Sequence, residues 1–255
     1  MPETVLVVPC FNEARRLAVE QFEGFVKVHP DLRFLFVNDG STDNTLAVLR
    51  GLEERDAAHF SVLDQQPNQG KAEAVRRGML VAFETDARYA GFWDADLATP
   101  LEAAPEFVDL LESRPHLEMV FGSRVKLLGR SIERSALRHY LGRVFATAAS
   151  LTLGLAIYDT QCGAKLFRVS PEIAALFQES FITRWIFDVE IIARLIRARR
   201  GSEQPQPEDV IYELPLRAWH DMAGSKVRAS DFPKAIFETL RIHRKYLSRR
   251  ARSDR

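Results

Sequence analysis

The chain has 255 residues, 46% of them hydrophobic and 27% charged, and Lys plus Arg equals Asp plus Glu at 35 each. These values are ordinary for a folded globular protein, and the net charge indicates no particular class of partner. Two distant cysteines, no signal-peptide pattern and no run of ~18 apolar residues exclude a disulfide framework and a membrane span, and they favour a reduced, cytoplasmic setting.

Short apolar segments alternate with amphipathic ones over about the first 120 residues. The apolar segments are rich in valine and phenylalanine and predict buried strands. They are 4–9, 34–37, 60–63, 91–93 and 118–121. The segments with helical spacing are 13–28, 42–55, 70–85 and 100–111. This alternation predicts an α/β fold with a mostly parallel sheet and helices on both faces.

The alternation ends after Phe121. The remaining predicted elements are a long amphipathic helix, an extended segment with a glycine turn, a helix, a strand and a final helix, over 133–153, 159–168, 186–199, 210–216 and 232–249. The sequence therefore predicts a main domain over 1–228 and a basic amphipathic addition over 229–255.

The final predicted helix mixes apolar and basic residues. Its apolar residues are Phe232, Ile236, Phe237, Leu240, Tyr246 and Leu247. Seven Lys or Arg and one acid lie between Arg241 and Arg255. Such a helix can lie on an anionic membrane surface, which would place the protein peripherally on the inner face of the membrane. It can equally dock on the main domain with its charged face in solvent, and the sequence leaves both interpretations open.

Polar clusters follow the predicted strands. They are Asn12-Glu13, Asn38-Asp39, Asn68 to Lys71 and Asp94 to Asp96. Ligands bind beyond the carboxyl ends of parallel strands, so we expect these residues to meet at one edge of the sheet.

Asp94 and Asp96 supply two carboxylates one residue apart at the end of a strand. Mg²⁺ and Mn²⁺ prefer such hard oxygen ligands together with the phosphates of a nucleotide. The pattern predicts a divalent metal site, and its alternative is a helix cap followed by a solvated acid.

Three further positions have two interpretations each. Asp39 can accept an N–H from uracil or guanine, or it can belong to a plain turn. Gly70 and Lys71 can approach an anion at a helix start, or they can form a capped helix start with an exposed lysine. Asp188 is a base for a sugar hydroxyl, or it caps the helix that follows it.

Together these motifs resemble glycosyltransferase family 2, which has the GT-A fold. The segments that carry the resemblance are Val7 to Glu13, Asn38 to Asp43, Asn68 to Lys71 and Asp94 to Asp96. The second half resembles the dolichyl- or polyprenyl-phosphate glucosyltransferase branch. The segments concerned are Gly122 to Arg124, Asp159 to Phe167, Arg184 to Glu190 and Trp219 to Lys226.

The resemblance implies a role for each matching residue. The nucleotide-sugar site would contain Pro9, Phe11, Asn12, Glu13, Asp39, Gly70, Lys71, Asp94 and Ala95, with Asp39 reading the base. The metal ligands for Mg²⁺ or Mn²⁺ would be Asp94 and Asp96. The acceptor phosphate would be bound by Arg124, Arg138 and Lys226, and the catalytic residues would be Arg124 and Asp188.

Two positions depart from the family pattern. Ala98 stands where related mannosyl-phosphate synthases often have glutamine, which removes a side-chain metal ligand there. Ala72 stands where glycine is common after the lysine.

The implied activity is inverting transfer of a sugar, first of all glucose from UDP-glucose, to a polyprenyl or dolichyl phosphate. A phosphate acceptor is mostly ionised near neutral pH because its second pKa is about 6, so it needs no general base. GDP-mannose as donor, a non-lipid acceptor and a nucleotide-binding module without turnover stay open as alternatives. A nucleotidyltransferase is disfavoured because Cys10 to Glu13 replace the glycine-rich basic loop of that class. No nucleic-acid partner is expected.

Overall fold

A computed structural model describes residues 3–133, 136–220 and 231–248, without the side chains of 136–139, 141 and 231–233. Its centre is a seven-stranded sheet in the order β3-β2-β1-β4-β7-β5-β8. These strands are β1 (Thr4–Cys10), β2 (Leu32–Asp39), β3 (Phe60–Gln65), β4 (Tyr89–Trp93), β5 (Met119–Ser123), β7 (Ala164–Arg168) and β8 (Ile211–Pro215). Two short strands, β6 (Ser131–Glu133) and β9 (Ala218–His220), form a separate parallel pair.

The sheet is mostly parallel, as predicted. β7 is the exception, because it runs antiparallel to both of its neighbours, β4 and β5. The predicted extended segment over 159–168 therefore contains a strand only in its second part. Residues 159–163 form the connection that leads into β7 from the edge where the parallel strands end.

Helices cover both faces of the sheet. They are α1 (Val19–Val28), α2 (Thr45–Arg55), α3 (Lys71–Phe83), α4 (Ala104–Ser113), α5 (Ala136–Leu153), α6 (Pro171–Gln178), α7 (Phe187–Arg199), α8 (Pro207–Val210) and α9 (Asp231–Ile242). A 3₁₀ turn (Leu101–Ala103) precedes α4, and a π-helical turn (His243–Leu247) follows α9. The helix predicted from residue 13 begins at Val19 instead, because Glu13 to Leu17 form a tight turn.

Two apolar layers explain why the strands have continuous hydrophobic runs. Val5 and Val7 of β1 face the layer that contains α3, α5, α6, α7 and α9. Leu6 and Val8 face the other layer, which contains α1, α2 and α4. A strand covered on both faces loses the polar alternation of a half-exposed strand.

The C-terminal helix docks on the main body. Ala235, Thr239, Ile242 and Tyr246 are buried against it, and the Tyr246 hydroxyl donates to Glu190 on α7 at 2.8 Å. Burial, reinforced by the Glu190 carboxylate, raises the pKa of Tyr246 to about 12. Of the two interpretations of the final helix, the structure therefore shows docking on the main domain for 231–248. The predicted domain boundary at 228 lies outside the described residues. Among the described side chains of α9, Ile236, Phe237 and Leu240 are apolar and exposed.

Candidate active site

The candidate site lies where the strand order of the sheet reverses. β1 has β2 on one side and β4 on the other, and all three run parallel. Such a switch point opens a crevice beyond the carboxyl ends of the strands. The loops after β1, β2, β3, β4 and β5 meet at this edge, together with the connection that precedes β7.

The loops after β1 and β2 are tied to each other by the predicted motif residues. The Asn12 side chain accepts from the Thr42 backbone N–H at 2.8 Å, and the Asn12 N–H donates to the Ser41 hydroxyl at 3.0 Å. The Glu13 N–H donates to the Thr45 hydroxyl at 2.8 Å. Asn12 and Glu13 therefore help to fix the loops of the crevice, while Pro9 and Phe11 just before them are partly buried.

Asp39 organises the loop that leads into α3. One carboxylate oxygen accepts from the Gln65 side chain at 2.7 Å and the Gln69 N–H at 2.8 Å. The other oxygen accepts from the Asn68 side chain at 3.0 Å and the Gly70 N–H at 2.8 Å. Two hydrogen bonds at each oxygen use the usual acceptor capacity of a carboxylate. A base N–H would therefore have to replace or share one of these donors.

Lys71 and the two predicted metal ligands form one charged group. The Lys71 ammonium lies 2.5 Å from an Asp94 carboxylate oxygen. Loss of solvent around the ammonium lowers the pKa of Lys71, but Asp94, Asp188 and Asp96 outweigh it and raise that pKa. Burial and the neighbouring Asp94 carboxylate raise the pKa of Asp96, although the Ala98 N–H and Lys71 oppose the shift.

The donor set fits a metal ion that also binds a diphosphate. Within the described ranges, no three His, Cys, Asp or Glu side chains converge as a protein-only metal cage. Mg²⁺ is commonly bound through one or two carboxylates plus phosphate and water oxygens. Asp94 and Asp96 supply that number. Burial first, and the neighbouring Asp94 carboxylate second, raise the pKa of Asp96, and a bound cation would offset both effects.

The connection before β7 closes against Asp94. The Asp94 N–H donates to the Gly163 carbonyl at 2.9 Å. A Cβ atom at Gly163 would lie 1.9 Å from an Asp94 carboxylate oxygen, so only glycine allows this approach. The second half of the chain thus forms one wall of the carboxylate site.

A buried ion pair lies next to this wall. Lys165 on β7 is fully buried, with its ammonium 5.3 Å from the ring centre of Phe92 and 5.2 Å from that of Phe121. It contacts an Asp188 carboxylate oxygen at 2.5 Å and donates to the Cys162 carbonyl at 2.6 Å. Lys165 therefore joins α7 to the same connection that contacts the Asp94 carboxylate.

Asp188 does not cap α7. It is the second residue of that helix, which begins without a side-chain cap, so the capping interpretation is wrong. Burial raises the pKa of Asp188, while the charges of Lys165 and Lys71 act in the opposite direction. Because the charge of Lys71 acts on Asp188, Asp188 interacts electrostatically with the group formed by Lys71, Asp94 and Asp96.

Arg124 follows β5 and is held by a carboxylate. Its Nε and Nη2 donate to the two oxygens of Asp159 at 2.6 and 2.8 Å, and its guanidinium lies 5.3 Å from the Trp219 ring centre. Asp159 and Tyr158 in turn donate their N–H groups to Glu213, both at 2.7 Å. A guanidinium has five N–H donors, so pairing with Asp159 leaves donors for an anion.

The other two predicted acceptor ligands are not placed by the structure. The side chain of Arg138, on α5, and the whole of Lys226 lie outside the described residues.

Four residues of the site make contacts that the sequence does not predict. They are Asp159, Gly163, Lys165 and Glu213. Of these, only Lys165 has a sequence context that indicates an unusual contact. A lysine inside the apolar run Ala164-Lys165-Leu166-Phe167 of a central strand must be paired if it is charged. That signal predicts a buried acid but not which one.

The comparison with protein families identifies the class of the chain. Residues 5–174 match the model of glycosyl transferase family 2, and the chain belongs to that family. A crystal structure of glucosyl-3-phosphoglycerate synthase from Mycobacterium tuberculosis, in complex with Mn²⁺, UDP and glucosyl-3-phosphoglycerate, has a TM-score of 0.66 at 18% identity. The match covers 97% of this chain and 82% of that chain. It shows the fold, and the predicted GT-A class is confirmed.

Curated relatives resemble nearly the whole chain. The dolichyl-phosphate beta-glucosyltransferase of Saccharomyces cerevisiae is 30% identical over 95% of this chain and 74% of its own length. The Drosophila melanogaster protein of the same name is 32% identical over 88% and 69%. The dodecaprenyl-phosphate galacturonate synthase of Rhizobium johnstonii is 27% identical over 76% and 56%. The predicted resemblance to this branch is confirmed.

Proposed function

We propose that the protein transfers a sugar, first of all glucose from UDP-glucose, to a polyprenyl or dolichyl phosphate, using Mg²⁺ or Mn²⁺. The observation that carries the proposal is the placement of Asp94 and Asp96 beside Lys71 at the switch point, with Arg124 at the same edge of the sheet, at the end of β5. The names of the relatives support the lipid phosphate acceptor, and their glucosyltransferase name supports the sugar.

On the donor side, Asp94 and Asp96 would hold the metal ion. A divalent ion bound there neutralises charge on the diphosphate leaving group. Lys71 adds a positive charge at the start of α3, and the helix N-terminus favours the same anion. Asp39 fixes the loop before α3, and in this proposal a base N–H competes with a loop donor for one of its oxygens.

On the acceptor side, Arg124 would orient the phosphate. Asp159 holds two of its donor nitrogens, so the guanidinium plane is fixed before the acceptor binds. An ionised phosphate attacks without losing a proton, from the face opposite the leaving group, which inverts the configuration of the sugar carbon. Asp188 is paired with buried Lys165. In this proposal it places a negative charge near Lys71 and does not act as a base for the acceptor.

A lipid acceptor implies contact with a membrane. Among the described residues, every helix is too short or too polar to cross a bilayer. The exposed apolar residues of α9 lie beside exposed Arg241 and Arg244, a composition that suits an anionic surface. We propose peripheral attachment at the cytoplasmic face.

The test is a donor and metal panel with the full chain. UDP-glucose and GDP-mannose are each incubated with polyprenyl phosphate and Mg²⁺, Mn²⁺ or a chelator, and nucleotide release and glycolipid are measured. We expect product from UDP-glucose, lost with chelator. Product from GDP-mannose alone identifies the alternative donor, and nucleotide binding without release in every arm indicates a binding module.

Asp96→Asn tests the metal assignment. We expect transfer to fall by at least about 100-fold with an unchanged circular dichroism spectrum, because one of two charged ligands is lost. The matched control is Asp109→Asn on the exposed face of α4, which should keep full activity. Near-normal activity of Asp96→Asn would remove the assignment.

A further inference from the structure

Two leucines stand at the tip of the turn between β5 and β6. The Arg130 N–H donates to the Leu127 carbonyl at 3.2 Å, and Gly129 has a φ of 77°, a value that glycine accepts readily at the third position of a turn. Leu127 is about half exposed and Leu128 is fully exposed. We call residues Lys126–Arg130 the leucine turn. Its apolar tip contributes nothing to the core.

The charged residues of the leucine turn, Lys126 and Arg130, are both basic, and the sequence has no acidic residue from Arg124 to Ile132. Arg124 is basic as well, but it is paired with Asp159. Lys126 is exposed and Arg130 partly exposed. An apolar tip between basic residues is complementary to an anionic bilayer, because leucine favours the acyl boundary and lysine or arginine favours the headgroup level.

The leucine turn is also linked to the acceptor site. Leu127 is three residues from Arg124, so at most about 10 Å of extended chain separates them. The base of the turn is anchored, because the Ser131 N–H donates to the Arg217 carbonyl at 2.8 Å and Ile132 is in register with Trp219. Trp219 is the ring that faces the Arg124 guanidinium. The turn and this guanidinium therefore share one small scaffold.

We propose that the leucine turn inserts into the surface of an anionic membrane and thereby brings Arg124 to the depth of lipid phosphate groups. The inference rests on the proposed function in taking the acceptor to be a lipid. It adds a membrane contact next to the acceptor site to the one that α9 offers, and a long-chain acceptor can then present its phosphate without leaving the bilayer.

The experiment separates membrane binding from catalysis. The unmodified chain and the variant Leu127→Asp/Leu128→Asp are sedimented with vesicles of phosphatidylcholine alone or mixed with phosphatidylglycerol. The matched control is Val28→Asp, an exposed apolar residue at the end of α1, near Thr4 at the start of β1. A second comparison is Ile236→Asp/Phe237→Asp on α9. Transfer is measured with polyprenyl phosphate in the vesicles and with a short-chain, water-soluble prenyl phosphate.

We expect the leucine-turn variant to lose at least about tenfold in binding to the mixed vesicles, because it replaces two partly or fully exposed leucines with anions. Transfer to the vesicle acceptor should fall similarly, and transfer to the soluble acceptor should change less than about twofold. Val28→Asp should behave like the unmodified chain, and high salt should weaken binding.

Vesicle binding that survives in the leucine-turn variant overturns the inference, whether or not it is lost in the α9 variant. Absence of vesicle binding by the unmodified chain overturns it too, and would leave a protein partner or a second copy as the occupant of the turn. Failure of the proposed function looks different, because the unmodified chain would then transfer sugar to neither acceptor while vesicle binding could still be scored.

Discussion

Replacing Lys165 with methionine tests whether the buried pair with Asp188 matters to the fold. Methionine keeps the length of the side chain between Phe92 and Phe121 but removes the charge that contacts Asp188 at 2.5 Å. Removing one partner of a buried pair costs about 3–5 kcal/mol, because the other charge is left without compensation. That is a large part of the 5–15 kcal/mol that stabilises a typical domain.

The double variant Lys165→Met/Asp188→Leu supplies the matched comparison. Replacing a whole buried pair with apolar residues is often neutral or stabilising, so the double variant should regain most of the lost free energy of unfolding. Sugar transfer should stay low, because the Cys162 carbonyl loses its donor and Lys71 loses a nearby carboxylate. Urea unfolding followed by tryptophan fluorescence measures the first quantity, and initial rates measure the second.

The pH dependence of the free energy of unfolding tests the direction of this electrostatic effect. Burial raises the pKa of Asp188, so this group stabilises the fold below its unfolded pKa of about 3.9, and that contribution is lost as the pH rises through the folded value. Removing Lys165 removes a charge that opposes the shift, and the folded pKa rises further. The deficit of Lys165→Met should therefore be largest near neutral pH and shrink on acidification. A deficit below about 1 kcal/mol, or a double variant as unstable as the single one, would refute the reasoning.

Three other predictions follow from the contacts of single residues. Gly163→Ala should reduce kcat by about 100-fold with normal circular dichroism, since its Cβ displaces the Asp94 carboxylate and small misplacements are costly; unchanged turnover would show that the wall moves freely. Asp159→Asn should raise the KM for the acceptor more than that for the donor, because it loosens Arg124; equal changes would contradict this. Tyr246→Phe should lower the free energy of unfolding by about 1 kcal/mol and leave transfer to a soluble acceptor intact, whereas a loss of that activity would argue against a purely structural bond.

The sequence predicts the first half of the fold, up to β4, well. Its strands are covered on both faces, so hydrophobic runs mark them, and the polar residues that follow are brought together by parallel pairing alone. The sequence pattern alone therefore predicts that Asp94, Asp96 and Lys71 lie near each other. The role of Asp39 was less accessible, because its four donors come partly from backbone N–H groups that no residue type reveals.

The second half is harder to predict, because strand β7 enters between β4 and β5 in the opposite direction. Neither hydrophobicity nor spacing says where a short apolar strand will pair. The contacts of Gly163, Lys165 and Asp159 all depend on that pairing. The helix predicted from residue 13 was too long for a related reason, since the Thr45 hydroxyl, distant in sequence, binds the N–H groups of Glu13 and Ala14.

The antiparallel course of β7 limits how enzymes of this design can diversify. The stretch 159–168 pairs with Arg124 through Asp159 and approaches Asp94 through Gly163. In the proposed function, changes that remodel the acceptor side therefore also act on the donor side. Exchanging the C-terminal halves of two such transferases would then transfer part of the proposed nucleotide-sugar site together with the proposed acceptor site, so the specificities for the two substrates would change together.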